Sequence, residues 1–479
     1  MLSFGIPKSK NKSPLMMSAE NLSSSVQQRE YKTFQEENSK SKPALNHQVS
    51  NISQPESKSG IPGASLNMIN TIIGAGIFGM PFAMREAGIV AGPVLLVVVA
   101  WLTIASNQML VGLASFHPKL KNLGVLTYED LMSVPFGKAG KLFVLISMMI
   151  SSYSCCIAYL LVIKDTVPIV FHWDKTVWEK QLALFITSFL VPLPLSLMRD
   201  LASLSRASFF SIVADVFLVV LILVSAPIAN TVNDAGGLGQ VIANNWISSH
   251  IFIGIGSITF ALVCQSSAFL MSISLQNLTV ERWGCVSQLS VTISALLCIA
   301  MGIAGYLGFL DQTQGDILNN FDANSNSINL GRIALALHMS LVYPMESYVC
   351  RHVIVQLFFD GDMDGPQHRN CRFVFARRYH LLAILVFFFA LVPAMLVNDL
   401  GIVLSLSGAF ASSTIAYVAP GLAYIGINGE HFIKKIRAIM LVGSSGNTYT
   451  GLSAGSLLEH DIQAVEGIRK PCWWYIAGF

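Results

Sequence analysis

The sequence Asn67-Met-Ile-Asn-Thr-Ile-Ile-Gly-Ala-Gly-Ile-Phe-Gly-Met-Pro81 lies in the first long apolar run of the chain. Its glycines match G-x-G-x-x-G, but a dinucleotide site also needs a preceding strand and a βαβ unit, and neither is indicated here. In a membrane helix, such glycines serve either close helix packing or a break that exposes backbone groups to a ligand. Asn67, Asn70 and Gly74 share one helix face, and two amide side chains gain nothing from facing lipid. We therefore predict a broken helix whose polar face meets protein or water.

The composition is that of a protein that crosses a membrane many times. Only 12% of the 479 residues are charged, against about 25% in soluble domains. A span needs roughly 20 apolar residues. Ten runs of this kind occur, at residues 63–82, 89–115, 142–163, 182–198, 209–229, 251–273, 286–310, 330–349, 379–397 and 401–425. Backbone groups in lipid must be satisfied within their own segment, so we predict ten helices and an all-α polytopic membrane protein.

Polar segments predict the orientation and the domain limits. Residues 1–60 are rich in Ser, Lys, Gln and Asn, which predicts a disordered tail. Lys and Arg cluster in alternate loops, which places the N-terminus and residues 426–471 in the cytosol. The transmembrane domain then covers residues 61–425. Residues 472–479 are typical of the start of an eleventh span, which we expect to be truncated.

The sixth run contains a second interruption, with Gly254, Gly256, Ser257 and Thr259 followed by the polar residues 264–267. Two interrupted spans that are five apart in order are expected of an inverted repeat. In that arrangement half-helix N-termini face an anionic group, and unwound carbonyls serve an ammonium group or a cation. An amino acid carries both charges, so the pattern favours an amino acid as the ligand.

Three motifs carry a resemblance to a known family. Residues 67–81, Tyr343-Pro-Met-Glu346 in span 8 and Asp399-Leu-Gly-Ile-Val-Leu404 at span 10 resemble the sodium-coupled neutral amino acid transporters of the amino acid/auxin permease family. The resemblance runs from about residue 60 to residue 425. It implies eleven spans in a leucine-transporter-like fold, with spans 1–5 and 6–10 as a 5+5 inverted repeat and the substrate between spans 1 and 6.

The residue pattern and the resemblance together give candidate substrate-binding residues. These are Asn67, Thr71, Gly74, Ala75, Gly76, Ser257, Thr259, Phe260 and Cys264. By resemblance, residues 74–76 form the break that contacts the substrate, and Asn70 takes the place of an asparagine of the family's sodium site. The chain departs from the family at two points: Gln265 stands where a histidine is frequent, and span 8 has no threonine.

Asp215 is a charged residue near the middle of span 5. A charge at that depth costs about 2.5–3.5 kcal/mol on insertion scales, and such acids are functional candidates. In the implied fold, spans 5 and 8 meet beside the cation site, so Asp215 and His338 are candidates to hold sodium or to relay a proton. The alternative is a carboxylate and an imidazole that only pack between helices. The ion-coupling candidates are Asn70, Asp215, His338 and Ser340, with Asn70 as a sodium ligand.

The sequence predicts a secondary active symporter that moves neutral amino acids by alternating access, driven by a sodium or a proton gradient. The alternative is a membrane sensor of amino acids that signals through its cytosolic tail. Enzyme motifs are absent from the sequence, and no cofactor is expected. The expected partners are the amino acid and the bilayer rather than nucleic acid, since the net charge is only +3. Plasma membrane and vacuolar or lysosomal membrane both fit. Glu346 is expected at the inner membrane interface.

Overall fold

The computed structural model describes residues 59–117, 120, 125, 127–173, 175–198, 207–359 and 372–429. Within these residues the only extended pairing is an isolated bridge between Ser59 and Leu275. The helices lie at Ile61–Ile72, Ala75–Gly79, Met80–Ala87, Ala91–Phe116, Tyr128–Val170, Val177–Leu190, Pro192–Leu197, Ala207–Ser225, Ile228–Asp234, Leu238–Asn244, Ile251–Leu262, Gln265–Ser274, Val280–Phe309, Leu310–Gln312, Ile317–Asn320, Asn326–Phe358, Arg372–Leu396, Leu400–Ser407, Gly408–Ser412 and Thr414–Val418.

Eight of the described helices are long and apolar enough to cross a membrane, and two bent pairs bring the number to as many as ten. In chain order, spans 1–10 are Ile61–Ile72 with Ala75–Ala87, Ala91–Phe116, Tyr128–Val170, Val177–Leu197, Ser211–Ser225 with Ile228–Asp234, Ile251–Phe269, Val280–Gln312, Asn326–Phe358, Tyr379–Leu396 and Leu400–Gly429. Their order matches the ten apolar runs of the sequence. The all-α multi-pass membrane fold is therefore confirmed.

Large apolar side chains cover the outside of the helix bundle. Trp101 is 66% exposed, Phe252 is 80% exposed and Phe389 is 68% exposed. Soluble proteins rarely expose apolar patches of this extent, whereas a surface in contact with lipid requires them. The apolar surface and the helix lengths therefore agree on a membrane environment.

Span 1 is broken at Ile73 and Gly74. Ile73 has φ −80° and ψ 93°, and Gly74 has φ −127° and ψ −146°, so neither residue continues the helix. The two halves of the span are bent by 51°. Pro81 lies in the first turn of Met80–Ala87, where its missing N–H breaks no helical hydrogen bond. The break lies where the Gly-rich stretch of the sequence predicts it.

Span 6 is also broken, but not at its glycines. The helices Ile251–Leu262 and Gln265–Ser274 are separated by Val263 and Cys264. A Cβ on Gly254 would come 2.7 Å from the Cβ of Ala87, and one on Gly256 would come 2.4 Å from the carbonyl oxygen of Ser405. These two glycines allow span 6 to pack closely against spans 1 and 10. The predicted interruption is present: it lies at residues 263–264, where the predicted polar stretch 264–267 begins, and the glycines at 254 and 256 remain helical.

Several predictions concern residues whose structure is not described. Residues 1–58 and 430–479 lie outside the described ranges, and with them the N-terminal tail, the loop after span 10 and the start of an eleventh span. The span 10 helix itself continues to Gly429, beyond the limit at residue 425 that its apolar run predicts.

Candidate functional site

A cavity lies between the two broken spans. Its volume accessible to water is about 40 Å³, which is room for about three water molecules. The cavity is lined by Thr71, Ile72, Gly74, Ala75, Gly76, Met148, Ser151, Ser152, Cys155, Tyr159, Phe260, Ala261, Val263, Ser266, Ser267, Glu346 and Ile415. Spans 1, 3, 6, 8 and 10 therefore all contribute to its wall.

The break in span 1 brings two helix ends to this cavity. The helix Ile61–Ile72 ends there, and the helical segment Ala75–Ala87 begins there. The last carbonyl groups of a helix and its first N–H groups have no partners within the helix. The first set carries partial negative charge and the second set carries partial positive charge. One cavity therefore offers groups of both signs, as a zwitterion requires.

The opposite wall comes from span 3. Ser151, Ser152, Cys155 and Tyr159 follow a helical spacing of three and four residues and so lie on one face. Tyr159 reaches the break itself, because a Cβ built on Gly74 would lie 3.1 Å from the Tyr159 hydroxyl oxygen. Any residue larger than glycine at position 74 would crowd this tyrosine.

Five of the nine predicted substrate-binding residues line the cavity: Thr71, Gly74, Ala75, Gly76 and Phe260. The lining does not include Asn67, Ser257, Thr259 or Cys264. The hydroxyl of Ser257 donates to the carbonyl of Ile253 at 3.3 Å, and the thiol of Cys264 accepts from the side-chain amide of Asn107 at 3.1 Å. These two side chains are engaged in helix contacts rather than turned towards a ligand.

The cavity has one lining residue with a carboxyl group, and it was not among the predicted substrate-binding residues. Glu346, expected from the sequence at the inner membrane interface, lines the cavity on span 8 together with Ser152 on span 3. The span 8 helix runs to Phe358, three turns beyond Glu346, so this residue is not at its end. The signal that could have found it is an acid within an apolar run, the criterion that selected Asp215.

Asp215 and His338 meet between spans 5 and 8. Nδ1 of His338 lies 2.9 Å from Oδ1 of Asp215, and neither side chain is exposed. The N–H direction is not aligned for a regular hydrogen bond, so the contact is one of charge and proximity. The structure thus brings together two of the predicted ion-coupling residues, in the two spans that were expected to meet.

The other two ion-coupling candidates differ in what their side chains do. Asn70 is 5% exposed, and its side-chain oxygen has no hydrogen-bond partner. A buried, unpaired amide oxygen fits a cation ligand, because sodium prefers oxygen atoms. The hydroxyl of Ser340 donates to the carbonyl of Ala336 at 2.7 Å, which engages its only proton within its own helix.

Beyond the break, span 1 contacts the connection between spans 7 and 8. Arg85 donates to the carbonyl of Thr313 at 2.5 Å and stacks over the ring of Phe82 at 4.7 Å. A Cβ on Gly315 would lie 2.4 Å from Oδ1 of Asp399, at the start of span 10. The connection therefore packs against both the second half of span 1 and the start of span 10.

Comparison with known proteins gives one family and related chains. Residues 57–445 match the family described as transmembrane amino acid transporter protein. The chain is 28% identical over 384 residues to the Mus musculus protein named "Putative sodium-coupled neutral amino acid transporter 11", covering 78% of this chain and 79% of that protein. It is also 28% identical over 378 residues to vacuolar amino acid transporter 2 of Saccharomyces cerevisiae, covering 77% of each.

A solved structure shares the fold. A Na⁺-coupled sialic acid symporter in a substrate-bound, outward-open state aligns with a TM-score of 0.51 over 78% of this chain and 80% of that chain. The sequence identity is 15%, so the likeness concerns the fold alone. The fold is the leucine-transporter-like one with a 5+5 inverted repeat, as the broken spans 1 and 6 predict.

Proposed function

The chain belongs to the family of transmembrane amino acid transporters, and we propose from this premise that it is a secondary active symporter working by alternating access. The family consists of transporters and not of enzymes. Substrate class, coupling ion and membrane are the parts of this proposal that go beyond family membership.

The observation that carries the proposal is the broken span 1 at the cavity wall. The N-terminal end at Ala75 suits the substrate carboxylate, and the C-terminal end at Ile72 suits the ammonium group. Beyond the break, Arg85 contacts the carbonyl of Thr313 in the connection between spans 7 and 8. Alternating access requires a site at the breaks that opens to one side of the membrane at a time.

Neutral amino acids are the substrate class that we propose first. Serine hydroxyls at positions 151, 152, 266 and 267 alternate with apolar groups such as Met148, Phe260 and Ile415 along the wall. Such a lining suits side chains that carry no charge. The mouse relative is named for sodium-coupled transport of neutral amino acids, which supports the same assignment.

We propose a proton as the coupling ion, with Asp215 and His338 as its carriers. An imidazole and a carboxyl group can each bind and release a proton. The 2.9 Å contact joins spans 5 and 8, so a change in its charge acts on the relative position of two helices. Sodium stays the alternative, with the unpaired oxygen of Asn70 as one ligand. Both a plasma membrane and a vacuolar or lysosomal membrane fit these features.

Uptake into proteoliposomes tests the proposal. The purified chain should accumulate a radiolabelled neutral amino acid when an inward proton gradient is imposed, and an uncoupler should abolish the accumulation. A sodium gradient at equal pH on both sides should produce no accumulation. Accumulation with sodium alone would favour sodium as the coupling ion, with Asn70 as one of its ligands. An absence of amino acid uptake under both gradients would defeat the transport proposal.

A further inference from the structure

Glu346 places a carboxyl group on the cavity wall without a basic partner among the other lining residues. Among the described residues that line the cavity it is the only acidic one, and none of the lining residues is a lysine, an arginine or a histidine. Glu346 lies within electrostatic range of Cys155 and Tyr159 on span 3, which carry no positive charge. The carboxylate therefore faces the ligand space without a basic partner among those residues.

A lone carboxylate within the membrane is costly. An ionised group there is paired, or faces a polar cavity, or is neutralised by a proton. Ser152, on the same wall, carries a hydroxyl group but no charge. A charge away from water that lacks an opposite charge costs far more than a matched pair does. The missing positive charge can be supplied by a proton or by a cationic group that enters the cavity, and the second source is the one that would distinguish between substrates.

A neutral amino acid does not supply that charge. Its carboxylate is matched at Ala75 and its ammonium group at Ile72, so the zwitterion adds no net charge and leaves Glu346 as before. An amino acid with a positively charged side chain would find a partner of opposite charge for its carboxylate, its ammonium group and its side chain. The wall from the break at Gly74, past Tyr159 and Cys155, to Glu346 and Ser152 leads from the two backbone ends to the carboxylate.

We propose that Glu346 is a specificity-determining residue and that the cavity accepts cationic amino acids such as lysine and arginine in addition to neutral ones. This inference rests on the proposed function and extends its substrate class. The side-chain ammonium or guanidinium group pairs with the Glu346 carboxylate, and the α-amino and α-carboxyl groups bind at the break in span 1. A guanidinium group suits a carboxylate especially well, because it can donate two parallel hydrogen bonds.

The first experiment needs no variant. Arginine and lysine should compete with labelled alanine for counterflow exchange in proteoliposomes, and labelled arginine should itself be exchanged. Counterflow requires no driving gradient, so the result does not depend on which ion is coupled. An exchange of alanine with no arginine exchange and no competition would overturn the inference while leaving the proposed function intact. An absence of exchange for every amino acid would instead defeat the proposed function.

The second experiment uses Glu346→Gln, which keeps the shape and removes the charge. The ratio of arginine exchange to alanine exchange should fall about tenfold or more, because one partner of a charge pair is lost. Glu346→Asp should recover part of the arginine exchange. Glu281→Gln, at an exposed position near the start of span 7, is the matched control and should change neither.

Two outcomes with the Glu346→Gln variant contradict the inference. Equal losses for arginine and alanine would assign Glu346 to a step common to all substrates, such as carrying the coupling proton. An unchanged arginine exchange would mean that the carboxyl group is already neutral. If the variant does not fold, as judged by size-exclusion chromatography, the competition experiment on the unmodified chain decides alone.

Discussion

Nδ1 of His338 lies 2.9 Å from Oδ1 of Asp215, and neither side chain is exposed. The two residues lie on spans 5 and 8, which are far apart in sequence and packed together in the fold. An imidazole and a carboxyl group can each bind and release a proton, and the attraction between spans 5 and 8 changes with the charge of the pair. If a proton is the coupling ion, as proposed, this contact would link its binding to the relative position of two spans.

Asp215→Asn should reduce accumulation driven by a proton gradient more than it reduces substrate exchange. The amide keeps the size of the side chain and cannot exchange a proton, so accumulation under a proton gradient should fall about tenfold or more. Counterflow exchange should stay within a few fold, since Asp215 does not line the cavity. Both quantities can be measured in the same proteoliposome preparation.

A purely structural role for the pair gives a different pattern. Removal of one partner of a buried pair costs about 3–5 kcal/mol, so stability, exchange and accumulation would then fall in parallel. A double variant Asp215→Asn with His338→Gln separates the two roles. It should regain thermal stability relative to the single variant without regaining gradient-driven accumulation. Recovery of both together would contradict the coupling role.

Gly76→Ala should disrupt the meeting point of the two broken spans. A Cβ at this position would lie 2.6 Å from the Cα of Ala261, and backbone at that distance can give way only if span 6 moves. Overpacking of this kind costs about 1–3 kcal/mol. We expect a lower melting temperature in detergent and a loss of substrate exchange. Gly112→Ala is the matched control, because nothing lies within 4 Å of a Cβ at position 112. Similar effects of the two substitutions would contradict the close contact.

The breaks in spans 1 and 6 show which features of the fold the sequence can predict and which it cannot. In span 1, Gly74 and Gly76 coincide with the break, and the asparagines beside them indicate a face that avoids lipid. In span 6, Gly254 and Gly256 give an equal local signal, yet they serve close packing against Ala87 and Ser405. A glycine in a membrane helix can mark a break or allow close packing. Which of the two applies depends on contacts with residues distant in sequence: Ser405, against which Gly256 packs, lies 149 positions away.

The charged residues illustrate the same limit. The contact between Asp215 and His338 was expected because the fold implied by resemblance brings spans 5 and 8 together. The place of Glu346 on the cavity wall was not expected, because it depends on which face of the span 8 helix, Asn326–Phe358, meets the cavity. The face of span 8 that meets the cavity is set by its packing against span 3, and nothing local to residues 343–346 encodes that packing.

Asp316 should make the stability of the protein depend on pH. It lies in the connection between spans 7 and 8 and is 1% exposed. Burial, with a smaller contribution from the charge of Asp165, raises the pKa of this carboxyl to about 7, although a hydrogen bond from the Leu318 backbone and the charge of Arg332 act in the opposite direction. In an unfolded chain an aspartate has a pKa of about 3.9. The folded state therefore binds the proton more tightly than the unfolded state.

The sign follows from proton linkage. The stabilisation is fully present below about pH 4 and is lost as the pH rises through about 7. The melting temperature in detergent should therefore be higher at pH 5 than at pH 8. Asp316→Asn resembles the protonated form and retains an oxygen to accept from the Leu318 N–H, so it should flatten this dependence and raise the melting temperature at pH 8. The exposed Asp311→Asn, at the end of span 7, should leave the slope unchanged. A slope that persists in Asp316→Asn would assign the dependence to another group.

Cys155 offers a direct measure of occupancy at the proposed site. It is a free, half-buried cysteine on the cavity wall, whereas Cys156, Cys264, Cys285, Cys298 and Cys350 are buried. A small thiol reagent that enters the cavity should therefore modify Cys155 faster than these five cysteines. A bound amino acid fills the space between Cys155 and the span 1 break, so saturating substrate should slow that modification several fold. The rate can be followed by mass spectrometry, with Cys155→Ala as the control in which the protected signal disappears. Equal labelling of Cys155 with and without a transported amino acid would place the substrate away from this wall, and with it away from Gly74 and Glu346.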